Sequence, residues 1–158
     1  MTVGRLVIEL ASRSDADSLG VRLRAADIEE IRAASGLTPL EALRRSYDLS
    51  THVWAVRARD EEPVAPPIAL WGIGPLSLVE GRGCPWLLAS DAFETLGLDI
   101  ARLSRPLVAE MRNLYPRLEN HIDARHLRAV RWLSWLGFTI DPAMAWGVEG
   151  RPFHRFWM

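Results

Sequence analysis

The chain contains no lysine; all nineteen of its basic residues are arginine. Any mechanism built on a Schiff-base or general-base lysine is thereby excluded. The cations that remain suit forked contacts to carboxylate or phosphate. Cysteine is almost as scarce. Cys84 stands alone, so no internal disulfide and no cysteine metal cage can form, and its setting beside Pro85 and Trp86 reads as a buried structural thiol. No apolar run approaches the ~20 residues of a membrane span. Met1 to Leu10 lacks the apolar core and cleavage site of a signal peptide, which sets the expectation of an intracellular chain. Net charge is −1, so no global basic field gathers nucleic acid or an anionic membrane.

What is present reads as one domain over 1–158, long enough for a real core. Arg5 to Leu10 alternates as a first strand. Ser14 to Asp17 offers caps for a helix ending near Leu23. Asp27 and Gly36 bracket a second helix as cap and stop. Thr38-Pro39-Leu-Glu41 is a sharp start signal for a third, running to about Tyr47. Thr51–Arg57 and Ile68–Ile73 read as a hairpin across the proline-rich loop Arg59–Pro67, and Pro85–Ala89 as a further strand. Asp99–Tyr115 is a long helix with Leu103, Leu107, Met111 and Leu114 on one stripe. Asp99 is its expected cap, and Pro106 is expected to kink it or delay its start. Leu118–Ile122 is a strand, Arg125–Leu136 a helix, and Phe138–Met158 two strands joined by a Gly147–Gly150 turn. Helices alternating with a mixed sheet make an α/β (α+β) fold.

Several constellations carry chemistry on paper. His121, Asp123 and His126 fall within six residues, but a fourth metal ligand is missing; the plainer reading has Asp123 capping the next helix and His126 bonding locally. Ser90, His126 and Asp123 could be drawn as a hydrolytic triad, yet no Gly-x-Ser-x-Gly elbow supports it. Arg125, Arg128 and Arg131 recur every three residues and read as a solvated face. Trp54, Trp71 and Trp86 lie in strands and are expected in the core. Trp132 and Trp135 cannot both point inward.

The stretch Asp123-Ala-Arg-His126-Leu-Arg-Ala129-Val-Arg-Trp132-Leu133-Ser-Trp-Leu-Gly137-Phe138 resembles the closing helix of the GNAT acyltransferase fold. His126 stands at the usual Asn, Ala129 at the Ala, Trp132-Leu133 at the Leu-Tyr pair, and Gly137-Phe138 at the exit. The resemblance implies a mixed central sheet with helices on both faces. A narrower likeness rests on Cys84-Pro-Trp-Leu-Leu-Ala-Ser90-Asp91, Glu119-Asn-His-Ile-Asp123, Arg131-Trp-Leu-Ser-Trp-Leu-Gly137 and Glu149-Gly-Arg-Pro-Phe153-His-Arg-Phe156. Together these are similar to the internal core protein family of T7-like podoviruses.

Two of the acyltransferase hallmarks do not carry over. The Gln/Arg-x-x-Gly-x-Gly/Ala phosphate loop aligns with Leu96-Gly-Leu-Asp99-Ile-Ala101, and a capping Asp99 would fill the anion seat itself. The tyrosine that reprotonates the departing thiolate is replaced by Leu133, and Tyr115 is the nearest substitute in sequence. The resulting expectation is a phage virion protein with a degenerate GNAT fold. It would act through contacts with other virion proteins or itself, in the virion or host cytoplasm. It would hold no metal or cofactor, touch no membrane and take no nucleic acid as a specific ligand. The alternative is an active N-acyltransferase using acetyl-CoA, with Trp86, Leu88, Ser90 and His126 as the cofactor-binding residues; a small-molecule binder reusing the same cleft is a third reading.

Overall fold

The computed structural model describes residues 1–59 and 65–158; the middle of the expected Arg59–Pro67 loop lies outside the described residues. A short hairpin opens the chain, β1 (Thr2–Val3) and β2 (Leu6–Leu10). Three helices follow: α1 (Arg13–Gly20), α2 (Ala25–Ser35) and α3 (Pro39–Asp48). Next come β3 (His52–Ala58), β4 (Ala69–Ser77) and β5 (Arg82–Ala89), a 3-10 turn at Asp91–Thr95, and α4 (Gly97–Leu114). The chain closes with β6 (Arg117–Asp123), α5 (Leu127–Trp135), β7 (Thr139–Ile140), β8 (Met144–Trp146) and β9 (Arg151–Trp157).

The strands form one sheet in the order β1-β2-β3-β4-β5-β6-β9-β7, with β8 also on β9. Every described pairing is antiparallel except β5 with β6. Strand alternation splits the apolar residues between two faces. Leu6, Ile8, Trp54, Val56, Trp71, Ile73, Leu118, Ile122 and Phe156 join Leu103, Leu107 and Met111 of α4 in the larger core. Val53, Ala55, Leu70 and Leu88 face the other way, against Ala16, Leu19, Ile31 and Leu43 of the first three helices. The architecture is a mixed α/β sheet flanked by helices on both faces.

The local signals explain most element ends. Ser12 and Thr38 each close a capping box, with Asp15 and Glu41. Gly36 ends α2 at φ 71°. The caps expected for α1 at Ser14 to Asp17 lie inside the helix, which starts at Arg13 behind Ser12. Three further expected caps are not caps. α2 begins two residues before Asp27, whose carboxylate is buried and used elsewhere. α4 begins at Gly97, before Asp99, and no side chain caps it. Asp123 accepts from the N–H of Arg125, a turn ahead of α5, which likewise lacks a side-chain cap. Pro106 does not delay α4, which starts two turns earlier and runs on through it. Among the described residues, no helix is long and apolar enough to cross a membrane.

Candidate functional site: a cleft through the sheet

β5 and β6 pair at two positions only, Arg82 with Arg117 and Gly83 with Leu118, and then part. Asn120 spans the start of the gap, its Nδ2 donating to the carbonyl of Pro85 at 2.8 Å. The backbone of β5 shows what lies beyond. Along a strand, residues alternate in the edge to which they offer both N–H and C=O. Ala89 offers both away from β4: its N–H donates to Asp27 Oδ2 at 2.8 Å and its carbonyl accepts from the N–H of Arg24 at 2.9 Å. Pro85 turns its carbonyl the same way. Leu87, midway between them, therefore presents its N–H and C=O into the gap.

The gap opens a cavity of about 590 Å³ that reaches both faces of the sheet. On the α4–α5 side it is lined by Trp71, Gly97, Ile100, Ala129, Trp132 and Leu133. On the α1–α3 side it is lined by Glu30, Ile31, Leu37, Arg45, Trp86 and Leu88. His121 also faces that side, being out of phase with Leu118 and Ile122 on β6. Trp146 stacks on the His121 ring at 4.3 Å and 8°, and Phe153 stands 5.0 Å from Trp146. The indole N–H of Trp86 donates to Ser50 Oγ at 2.8 Å, which fixes that ring over Gly72.

The first turn of α4 meets the cavity at Gly97. Nothing lies within 4 Å of where a Gly97 side chain would begin. Asp99 does not fill this end of the helix. Its buried carboxylate turns away to Arg5 Nε at 2.9 Å, against Gly4 of the β1–β2 hairpin. A helix start with unsatisfied N–H groups and open space is a natural anion seat.

The charged lining is mostly paired. Arg24 bonds Asp27 at 3.0 Å and Glu94 at 2.6 Å, and Glu94 also holds Arg128. Burial pushes the Asp27 carboxyl up to about 6, against the pull of Arg24. Glu30 accepts from the N–H of Asp123 at 2.9 Å, but no cation pairs with it among the described residues. The residue as a whole is partly exposed, while its carboxylate end is desolvated. That burial, reinforced by Asp27 and Asp123, pushes it up to about 7. Burial lowers both His121 and His126, and Arg24 lowers His126 further, so both imidazoles favour the neutral form. His126 Nδ1 is buried without a hydrogen-bond partner among the described residues.

The residues expected to bind a cofactor fall unevenly around this cleft. Trp86, Leu88 and His126 line it; Ser90 does not, because its hydroxyl donates to the carbonyl of Ile68 at 3.0 Å. The backbones of Trp86 and Leu88 face β4, so the strand offers Leu87 instead. Ser90, Asp123 and His126 form no triad, since Asp123 is held by Arg125 at 2.6 Å. No cluster able to hold a metal ion occurs among the described residues. Leu133 is buried in the cleft wall, whereas Tyr115 is outside it, bonded to Thr51 Oγ1 at 2.7 Å. Burial pushes the Cys84 thiol up to about 11, which makes it a poor nucleophile. Sequence reasoning passed over Glu30 and Trp146. The signal for Glu30 was its place on the inward stripe Asp27, Glu30, Ile31, Ala34, where a carboxylate is unusual.

A helix-flanked mixed sheet that parts between two parallel strands, with an uncapped helix start at one lip, is the GNAT acyltransferase fold. Solved structures agree over nearly the whole chain. Spermidine N-acetyltransferase from Vibrio cholerae in complex with CoA and spermine aligns with TM-score 0.70 and 14% identity over 98% of this chain and 95% of that one. Ribosomal-protein-S5-alanine acetyltransferase from Vibrio fischeri aligns with TM-score 0.70 and 16% identity over 100% and 94%. The YncA protein of Salmonella typhimurium with its cofactor acetyl-CoA aligns with TM-score 0.67 and 15% identity over 98% and 94%. At these identities the likeness establishes the fold. No family model matches the sequence, and no curated protein does.

The virion reading is overturned. These three solved structures, which share this fold nearly from end to end, are described as two acetyltransferases and one putative acetyltransferase, two of them holding CoA or acetyl-CoA, and nothing links the chain to podovirus internal core proteins. One of its two physical grounds is gone as well, while the lack of an acid at Leu133 stands. A carboxylate at a helix start was expected to block the phosphate seat, but a long-range ion pair to Arg5 removes it. The expectation that no cofactor is held loses its support for the same reason.

Proposed function

We propose that the chain is an N-acyltransferase that passes an acyl group, acetyl being the simplest, from acyl-CoA to an amine. The observation that carries this is the opening between β5 and β6, which joins an anion seat on one face to an acid-bearing chamber on the other. The residues fit such a donor. The start of α4 at Gly97 suits a pyrophosphate. Leu87 offers one N–H and one C=O to an amide-bearing arm, as an added strand would. Trp86, Leu88 and His126 complete the walls.

Bound acyl-CoA supplies a thioester whose carbonyl carbon an amine can attack. The chain contributes position and proton handling. An amine arrives as an ammonium and must lose one proton before its lone pair can form the C–N bond. Glu30, lining the chamber with a raised affinity for protons, receives that proton and passes it to solvent. The C–S bond then breaks, and the departing thiolate takes the second proton of the attacking nitrogen. Leu133 supplies no acid for this last transfer, so it runs from substrate to substrate or through water.

Acetyl-CoA at a hundred times its Kd adds about 2.7 kcal/mol to the folded state, a rise of several degrees in Tm. Release of free thiol on adding a mixture of primary amines then reports transfer. A well-folded sample whose Tm stays fixed at millimolar acetyl-CoA sinks the proposal.

A further inference from the structure

Resting on the acyltransferase reading, we propose that the acceptor is a monoamine with a flat aromatic body, an aryl-alkyl primary amine, seated in the α1–α3 chamber. The walls of that chamber are rings. Trp86 is pinned on one strand by its bond to Ser50 at 2.8 Å. Across the gap stand His121 and Trp146, stacked at 4.3 Å, with Phe153 behind them at 5.0 Å from Trp146. Pre-stacked, restrained rings favour another flat ring over a flexible chain, because little rotamer freedom remains to be lost.

The charge pattern limits the ligand to one cation. Of the carboxylates on this side, Asp27 is already bound by Arg24 and by the N–H of Ala89. Glu30 is the carboxylate left for an ammonium. Arg45 lines the same chamber and forms no ion pair among the described residues, so it repels a second ammonium. A polyamine therefore meets one favourable group and one unfavourable one. The chamber is also bounded on one side. The turn after β8 is fastened to α2, with the N–H groups of Val148 and Glu149 donating to the carbonyls of Ala34 and Ala33 at 3.2 Å each.

The test measures binding in the full-length chain without any donor, by quenching of tryptophan fluorescence. The probes are 2-phenylethylamine, its alcohol analogue 2-phenylethanol, spermidine and a short peptide with a free N-terminus. The expected result is saturable binding of 2-phenylethylamine at least ten-fold tighter than any of the other three. In Glu30→Gln the advantage of the amine over the alcohol shrinks to under three-fold, while the alcohol binds as before. In Trp146→Leu both aromatic probes weaken together. Equal or tighter binding of spermidine or peptide overturns the proposal, as does an alcohol that binds as well as the amine in the unaltered chain. Amine binding with no Tm response to acetyl-CoA upholds the chamber and defeats the acyltransferase reading instead.

Discussion

Asp99 shows how one distant side chain can decide whether a helix end is open. In sequence it sits where a cap belongs, and a capping carboxylate would repel a phosphate. In the fold Arg5, ninety-four residues away, holds it at 2.9 Å. Arg5→Ala should release the carboxylate toward the α4 start and weaken acetyl-CoA binding about two- to five-fold, the scale of a helix-terminus charge effect. Arg5→Ala/Asp99→Asn should restore it, and titration calorimetry distinguishes the two. Glu30 leads to a pH effect. Its folded-state affinity for protons is raised from an ordinary 4.5 to about 7 by burial. Between those values the folded chain binds more protons than the unfolded one, so this group's contribution to stability falls as pH rises through the window. The lowered histidines pull the other way below pH 6.5. The difference between variants isolates the carboxylate: Glu30→Gln should gain on the order of 1–3 kcal/mol relative to the parent on going from pH 5 to pH 8. Parallel Tm profiles for the two chains would contradict it.

Elements set by short-range rules were readable before the fold was known, whereas their contacts were not. The Thr38-Pro39-Leu-Glu41 box, the Gly36 stop and the Gly147–Gly150 turn are local chemistry, and each stands where the spacing put it. The closing helix, expected over Arg125–Leu136 and found at Leu127–Trp135, was legible from its apolar stripe. The role of Asp27 was not, because its partners Arg24 and Ala89 come together only when α2 packs on the end of β5. Backbone contacts were expected along Trp86–Ala89, with Trp86 and Leu88 singled out; that Leu87 instead offers its backbone to the gap follows only once the pairing of β5 with β4 is known. The turn after β8 offers a sharper test at this scale. Gly147 has φ 76°, and a Cβ there would lie 2.5 Å from the carbonyl oxygen of Ala33. Gly147→Ala should destabilise the chain by about 1–3 kcal/mol and lift the turn from α2. Acceptor binding should fall while acetyl-CoA binding holds; a loss of both in equal measure would mean that the turn props the whole cleft rather than the chamber.

For the molecule as a whole, the parting of β5 and β6 converts a sheet into a passage. A continuous ladder would satisfy every backbone group and seal the two cores from each other. Asn120 bonds Pro85 across the opening and Asp27 accepts from the N–H of Ala89 at its far end, which confines the open stretch of β5 to the backbone of Leu87. Around the lip, Arg24, Asp27, Glu94 and Arg128 hold one another in a chain of ion pairs that links α2, the turn before α4 and the start of α5. Those three elements border both sides of the passage, so the ends of the cleft are fixed relative to each other. Two ligands entering from opposite faces would then meet at a constant separation. A single molecule joining CoA through its sulfur and an acetyl link to the nitrogen of 2-phenylethylamine should exploit this. Its second half binds at an effective concentration in the millimolar range or above, so it should bind at least a hundred-fold tighter than CoA alone. Asn120→Leu, which removes the bridge to Pro85 and leaves both chambers lined, should erode that advantage while changing each separate ligand less. A joined ligand that binds no better than CoA would mean that the two chambers do not communicate through the sheet.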